Sequence, residues 1–358
     1  MNLFPNSPLV LSYMGVSPIQ MGHALSGDTG SAILGRVTIG GGAVLGPFAV
    51  LRGDGHVINV GNQFYIGAHS TVHIAHSLYG TSIGDNVTVG ANAVVHGCVV
   101  GDACVIQDNV SVLDGAVIGN GCVIARNSIV FPRSVMQPGQ WCEGSPAVAV
   151  RPVTTDELSA LHNSTRVSTA NSQPTTPHAS CSKHAAPDTG AYIAATVTGK
   201  GELRMGDQSS LWLGCVVDAP VYGVTIGARS NVQDNSLLRA SKQAIIIGRD
   251  STIGHNVLLN DCTIGARTLI GMGCTLAFGT VVMDDVLVAA GSSTTPGQTL
   301  ESGWLWGGRP ARPMSRLDDR KYQVIRASAA IYCEYAREFA MAQAAASPSL
   351  STNGKTDS

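Results

Sequence analysis

Three kinds of side chain in this sequence are placed where they could do chemistry. Histidine comes first. His73, His96 and His255 occur in the stretches Val72-His73, Val95-His96-Gly97-Cys98 and Ile253-Gly254-His255. An imidazole can hold a metal or move a proton near neutral pH. Next is a charged set, Arg52-Gly53-Asp54 and Gln233-Asp234. A guanidinium paired with carboxylates orients neighbouring groups through charge-assisted hydrogen bonds. The third kind is cysteine. The nine Cys form no C-x-x-C pair, so they read as buried small hydrophobes of a reducing compartment. Each feature also has an ordinary reading. His56, His69, His76 and His162 read as solvated or internally satisfied histidines. The Arg52, Asp54 and Asp234 set would serve equally as a buried ion pair that specifies assembly.

The elements that position these groups come from a repeat. Apolar residues recur every six positions at Ile83, Val89 and Val95, and again at Val100, Ile106, Val112, Ile118, Ile124 and Val130. Six is a poor helical period but suits coils of three short strands and turns, each coil stacking its apolar residues on the last. Gly, Asn and Asp supply the turns. An aromatic content of 5% fits the narrow interior of such a prism.

The whole pattern occurs twice. Ile226, Val232 and Leu238 mirror Val60, Ile66 and Val72, and the run from Ile264 mirrors the run from Val100. The expected architecture is all-β, with two tandem parallel β-helix domains, each followed by a helical segment near 155–161 and 317–345 respectively. The first domain is placed at 1–161 and the second at 189–346. The Ser-, Thr- and Pro-rich stretch 162–188 between them reads as a disordered linker, and 347–358 as a disordered tail. The net charge of −2 argues against a nucleic-acid partner. No apolar run has the length of a transmembrane helix, and no convincing signal or transit segment is seen near the start.

Val50-Leu51-Arg52-Gly53-Asp54, His73 and Val95-His96-Gly97-Cys98 resemble the gamma-class carbonic anhydrase family, whose fold is a left-handed β-helix. So do Asn231-Val232-Gln233-Asp234, Ile253-Gly254-His255 and Ile270-Gly271-Met272-Gly273 in the second copy. The resemblance covers about 16–160 and 190–335. It implies a zinc site of three histidines, of which neither copy has the full set. Ala91 replaces the second histidine of the first copy, and Tyr65-Ile66-Gly67-Ala68 replaces its Asn-Ile-Gln-Asp stretch. In the second copy, Arg239 and Asn260 replace the first and third histidines, and Asp218-Ala219-Pro220 replaces Arg-Gly-Asp. The family shares its zinc between neighbouring subunits of a trimer, so the resemblance implies one composite site of His73, His96 and His255.

By the same resemblance the site would hydrate carbon dioxide to bicarbonate with zinc, or with iron or cobalt in its place. Arg52 would pair with Asp54 and Asp234, Gln233 would hydrogen-bond the reacting oxygen, and Tyr332 would match a tyrosine of the terminal helix. Ile331 stands where family members carry asparagine. The expected assembly is a three-membered ring completed by self-association or by a related carbonic-anhydrase-like subunit. A catalytically weak assembly subunit, in mitochondrial respiratory complex I for example, is the alternative, and a hexapeptide acyltransferase a third. The compartment expected is mitochondrial, with cytoplasmic as the alternative.

Overall fold

The computed structural model describes residues 7–171, 182–185 and 190–346. It is an all-β chain of two tandem parallel β-solenoids, each followed by a helix. The period-six residues point inward and stack. Val89 pairs with Ile106, Ile106 with Ile124, and Ile124 with Cys142, one coil above the next. In the second solenoid Ile253, Ile270, Val288 and Trp306 form the matching column. These residues are buried.

Two long strands turn a corner of the prism. Val50–Val60 pairs with Thr71–His73 at its start and with Thr81–Ile83 at its end. Val216–Ile226 does the same with Leu237–Arg239 and Ile245–Ile247. Each solenoid closes with an antiparallel hairpin at its repeated phrase, Gln140–Gly144 with Ala147–Pro152 and Trp304–Gly308 with Ala311–Arg316.

The two helices are α1 (Thr155–Asn171) and α2 (Asp319–Ala346). The segment read as a disordered linker therefore begins as helix, because no Gly or Pro falls between Pro152 and Pro174. Its polar composition hides the docking side. His162 Nδ1 meets Thr88 Oγ1 at 2.7 Å, and Arg166 Nε donates to the same hydroxyl at 3.0 Å. Further along, Ser182–Ala185 forms a strand paired with Thr198–Met205. The rest of that segment and the tail 347–358 lie outside the described residues.

The solenoids pack against one another. Tyr13, Ala32, Leu34 and Val50 of the first join the core of the second, together with Tyr332, Tyr335 and Phe339 of α2. Polar contacts flank this seam. Asn235 Nδ2 donates to Thr71 Oγ1 at 3.0 Å, and Asn256 Nδ2 donates to His69 O at 2.6 Å and Asn92 Oδ1 at 2.9 Å. Asn92 and Asn256 both sit at φ 55, a left-handed turn conformation that asparagine tolerates better than most residues.

Candidate metal centre

His73 and His96 occupy the same position in successive coils, directly paired across neighbouring strands. His255 comes from the facing side of the second solenoid. His73 Nδ1 lies 3.2 Å from His96 Nε2 and 3.1 Å from His255 Nε2. All three side chains are buried. Among the described residues this is the group of three His, Cys or carboxylate side chains whose donor atoms converge within 4.8 Å.

A carboxylate stands behind each ring. Asp54 Oδ1 meets His73 Nε2 at 2.9 Å, and Asp114 Oδ1 meets His96 Nδ1 at 2.5 Å. Asp234 Oδ2 lies 3.1 Å from His255 Nδ1, within ion-pair distance but off the line of a good hydrogen bond. Carboxylates of this kind fix the tautomer and aim the other nitrogen of a metal-binding histidine.

Arg52 ties the two solenoids together beneath the triad. Its Nη1 donates to Asp54, its Nε to Asp234 at 3.0 Å and its Nη2 to the Tyr332 hydroxyl at 2.7 Å. The guanidinium also lies over the Trp212 ring, 4.4 Å from its centroid. Gly53 is required between Arg52 and Asp54, since a Cβ there would fall 2.8 Å from the Arg36 carbonyl oxygen. Gln233 is buried at the cavity beside the triad, with Nε2 3.3 Å from Asn231 Oδ1.

Burial decides most of the protonation pattern. It pulls His73 well below the ordinary imidazole range, with Arg52 and the neighbouring rings acting in the same direction. It pulls His255 down to about 4 although Asp234 opposes. The two carboxylates that share Arg52 differ. At Asp54 burial outweighs Arg52 and the pKa rises; at Asp234 burial is overcome by Arg52 and His255 and the pKa falls. Burial opposes the Arg52 charge, but Asp234 and Asp54 outweigh it and hold the guanidinium above its usual range.

These facts test whether a metal fits. The outer nitrogens of His73 and His96 face carboxylate oxygens, which favours the tautomer with its proton on that side. With the protons outward, the inner nitrogens of His73 and His96 point their lone pairs at one another, 3.2 Å apart, an arrangement that a cation relieves. Two ligands on a tetrahedron at a Zn–N distance of about 2.0–2.1 Å sit roughly 3.4 Å apart, close to the separations seen. The donor set fits zinc.

Sequence reasoning missed Asp114 and Trp212. Asp114 follows His96 by one coil, so a carboxylate eighteen residues after a candidate ligand was the available signal. Trp212 carried no such signal, because only the packing of the two solenoids sets it under Arg52. The positions of the second solenoid that match Arg52, His73 and His96 lie elsewhere, as Asp218, Arg239 and Asn260 in successive coils. There Lys200 Nζ pairs with Asp218 at 3.1 Å, and Arg239 Nε lies 3.7 Å from it.

Comparison with known proteins bears on the repeat and the family. A family model for bacterial transferase hexapeptide repeats matches residues 80–113 and 97–132, and one for the hexapeptide repeat of succinyl-transferase matches 262–296. Gamma carbonic anhydrase 1, mitochondrial, of Arabidopsis thaliana is 38% identical over 160 residues, covering 43% of this chain and 58% of that protein. Protein YrdA of Escherichia coli is 38% identical over 147 residues, covering 39% of this chain and 80% of that one. A hexapeptide transferase family protein from Anaplasma phagocytophilum is 31% identical over 42% of this chain and 90% of its own, with a TM-score of 0.40. The chain spans somewhat more than half the length of the plant relatives it matches. By its repeats and these relatives, the chain belongs to the gamma-class carbonic-anhydrase-like family of hexapeptide-repeat proteins.

Proposed function

We propose that this protein is a zinc-dependent carbonic anhydrase whose composite site is shared between its two solenoids. The observation that carries the reading is the convergence of three inner imidazole nitrogens, each ring backed by a carboxylate. His73, His96 and His255 would hold the metal, and the fourth position would stay open, as catalytic zinc requires. When bound, zinc lowers the pKa of water from 15.7 to about 7 and so supplies a nucleophile for carbon dioxide at neutral pH. Iron or cobalt would occupy the same donors.

The protein's own residues do the rest. Burial keeps the His73 and His255 rings neutral and available as donors. Asp54 and Asp114 aim the His73 and His96 rings, Asp234 lies at ion-pair distance from His255, and Arg52 holds Asp54 and Asp234 in place. Gln233 offers an amide to a bicarbonate oxygen at the cavity wall. Tyr332 locks α2 to Arg52 and so closes one side of the site.

The second reading is an assembly subunit of low turnover. It is favoured by the Lys200, Asp218 and Arg239 set, which stands partly exposed on the second solenoid where the first carries its ligand face. That face would seat a third solenoid and complete a ring, either from a second copy or from a related subunit. The mitochondrial relatives support a mitochondrial compartment. Metal analysis of the purified protein together with stopped-flow carbon dioxide hydration tests the main reading. Bound zinc with no hydration favours the assembly subunit, and hydration that His255→Ala abolishes favours the enzyme.

A further inference from the structure

A cavity of about 500 Å³ opens beside the triad. A water molecule's share of the liquid is about 30 Å³, so this space far exceeds what carbon dioxide and a few waters fill. His73, His96, Asp114 and Gln233 line it at the triad. Most of the remaining lining is apolar. One wall is a column of Thr252, Leu269, Leu287 and Leu305, taken from four successive coils and directly paired. The opposite wall is the first half of α2, with Val324, Ser328 and Ile331.

The column is open for a reason visible in the duplication. In the first solenoid the matching Thr88 and Val105 strands are covered by α1. In the second, α2 is held toward the first solenoid by Tyr332 on Arg52 and by Tyr335, whose hydroxyl meets His76 Nδ1 at 2.6 Å. It packs on the strands from Tyr192–Ile193 to Thr252–Ile253, and among the described residues Leu269, Leu287 and Leu305 of the later coils stay half-buried and line the cavity with its first half.

We propose that this cavity binds a single-chain aliphatic carboxylate, with its carboxylate at the triad and its chain along the leucine column. Three interstrand steps of about 4.8 Å make the column about 14 Å long, the reach of an unbranched chain of roughly ten carbons. A divalent cation on the imidazoles attracts an anionic head, while among the described residues the lining holds no Lys, Arg, Asp or Glu besides Asp114. The placement of the head rests on the metal reading above; the placement of the chain does not.

Calorimetry on the full chain, zinc-loaded and chelator-stripped, with butyrate, hexanoate, octanoate, decanoate, dodecanoate and myristate tests this. Affinity should rise about tenfold for each added pair of methylenes and level off near decanoate to dodecanoate. Stripping zinc should weaken every carboxylate by a common factor and leave the chain increment intact. Leu287→Trp, or Ser328→Trp from the helix side if the first misfolds, should abolish the increment without lowering zinc content. A flat series in zinc-loaded protein overturns the proposal and leaves the metal reading standing, as does an increment that neither tryptophan changes. Increments in a protein that takes up no zinc support the chain site and remove the metal reading. Equal affinity for decanol and decanoate in zinc-loaded protein overturns the placement of the head.

Discussion

His73 Nδ1 and His255 Nε2 lie 3.1 Å apart although 182 residues separate them in the chain. One ring comes from each solenoid, so the three-histidine cluster forms only where the two are docked. Replacing His255 with Ala should therefore abolish tight zinc binding while leaving both solenoids folded. Metal content after dialysis, read beside far-ultraviolet circular dichroism, checks it. Retention of full occupancy would show that His255 is not a ligand.

Asp114 should act through His96. It accepts from His96 Nδ1 at 2.5 Å, and losing such a partner typically costs about 10–100-fold in metal affinity. Asp114→Asn is expected to fall in that range in a competition assay with a chromophoric chelator. An unchanged affinity would make Asp114 a bystander.

Arg52 should matter more to stability than to binding. It is fully buried between two buried carboxylates, and breaking a buried pair by removing one partner costs about 3–5 kcal/mol. Arg52→Met should lower stability by that amount in urea unfolding. Adding Asp234→Asn should restore part of the loss, because one stranded charge is removed. A fully additive pair of losses would contradict the coupling.

The docking of α1 should depend on pH. Burial holds His162 below the ordinary imidazole pKa, with Arg166 acting in the same direction against the Ala103 carbonyl. The unfolded chain then takes up a proton before the folded one as pH falls. The stabilisation is complete above about pH 6.5 and declines as pH drops through that value toward the folded pKa. Amide exchange along α1 should quicken from pH 7.5 to 5.5 once corrected for intrinsic rates, and His162→Gln should flatten the trend. A flat profile in the parent protein would contradict the assignment.

Much of this was legible in the sequence, and the reasons differ by residue. The solenoids follow from Val89, Ile106 and Ile124, whose spacing admits little but stacked coils. By the family resemblance, the losses at Ala91 and at Arg239 and Asn260 imply one site shared by two domains, and the structure brings the donor atoms of His73, His96 and His255 within 4.8 Å of one another. The helical start of the linker was hidden, since Ser and Thr weaken a helix signal and the docking face rests on His162 and Arg166 rather than on apolar residues. Trp212 and the leucine column were hidden too. Their roles depend on how α2 leans across the seam, and no local pattern records that.

Zinc titration of the full chain, followed by carbon dioxide hydration at each point, tests the central claim most directly. The account predicts one zinc per chain, hydration rising in proportion to occupancy, and loss of both in His73→Ala and in His255→Ala alike. Hydration that survives when His255 is replaced, or zinc held by one solenoid's residues without the other's, would contradict it.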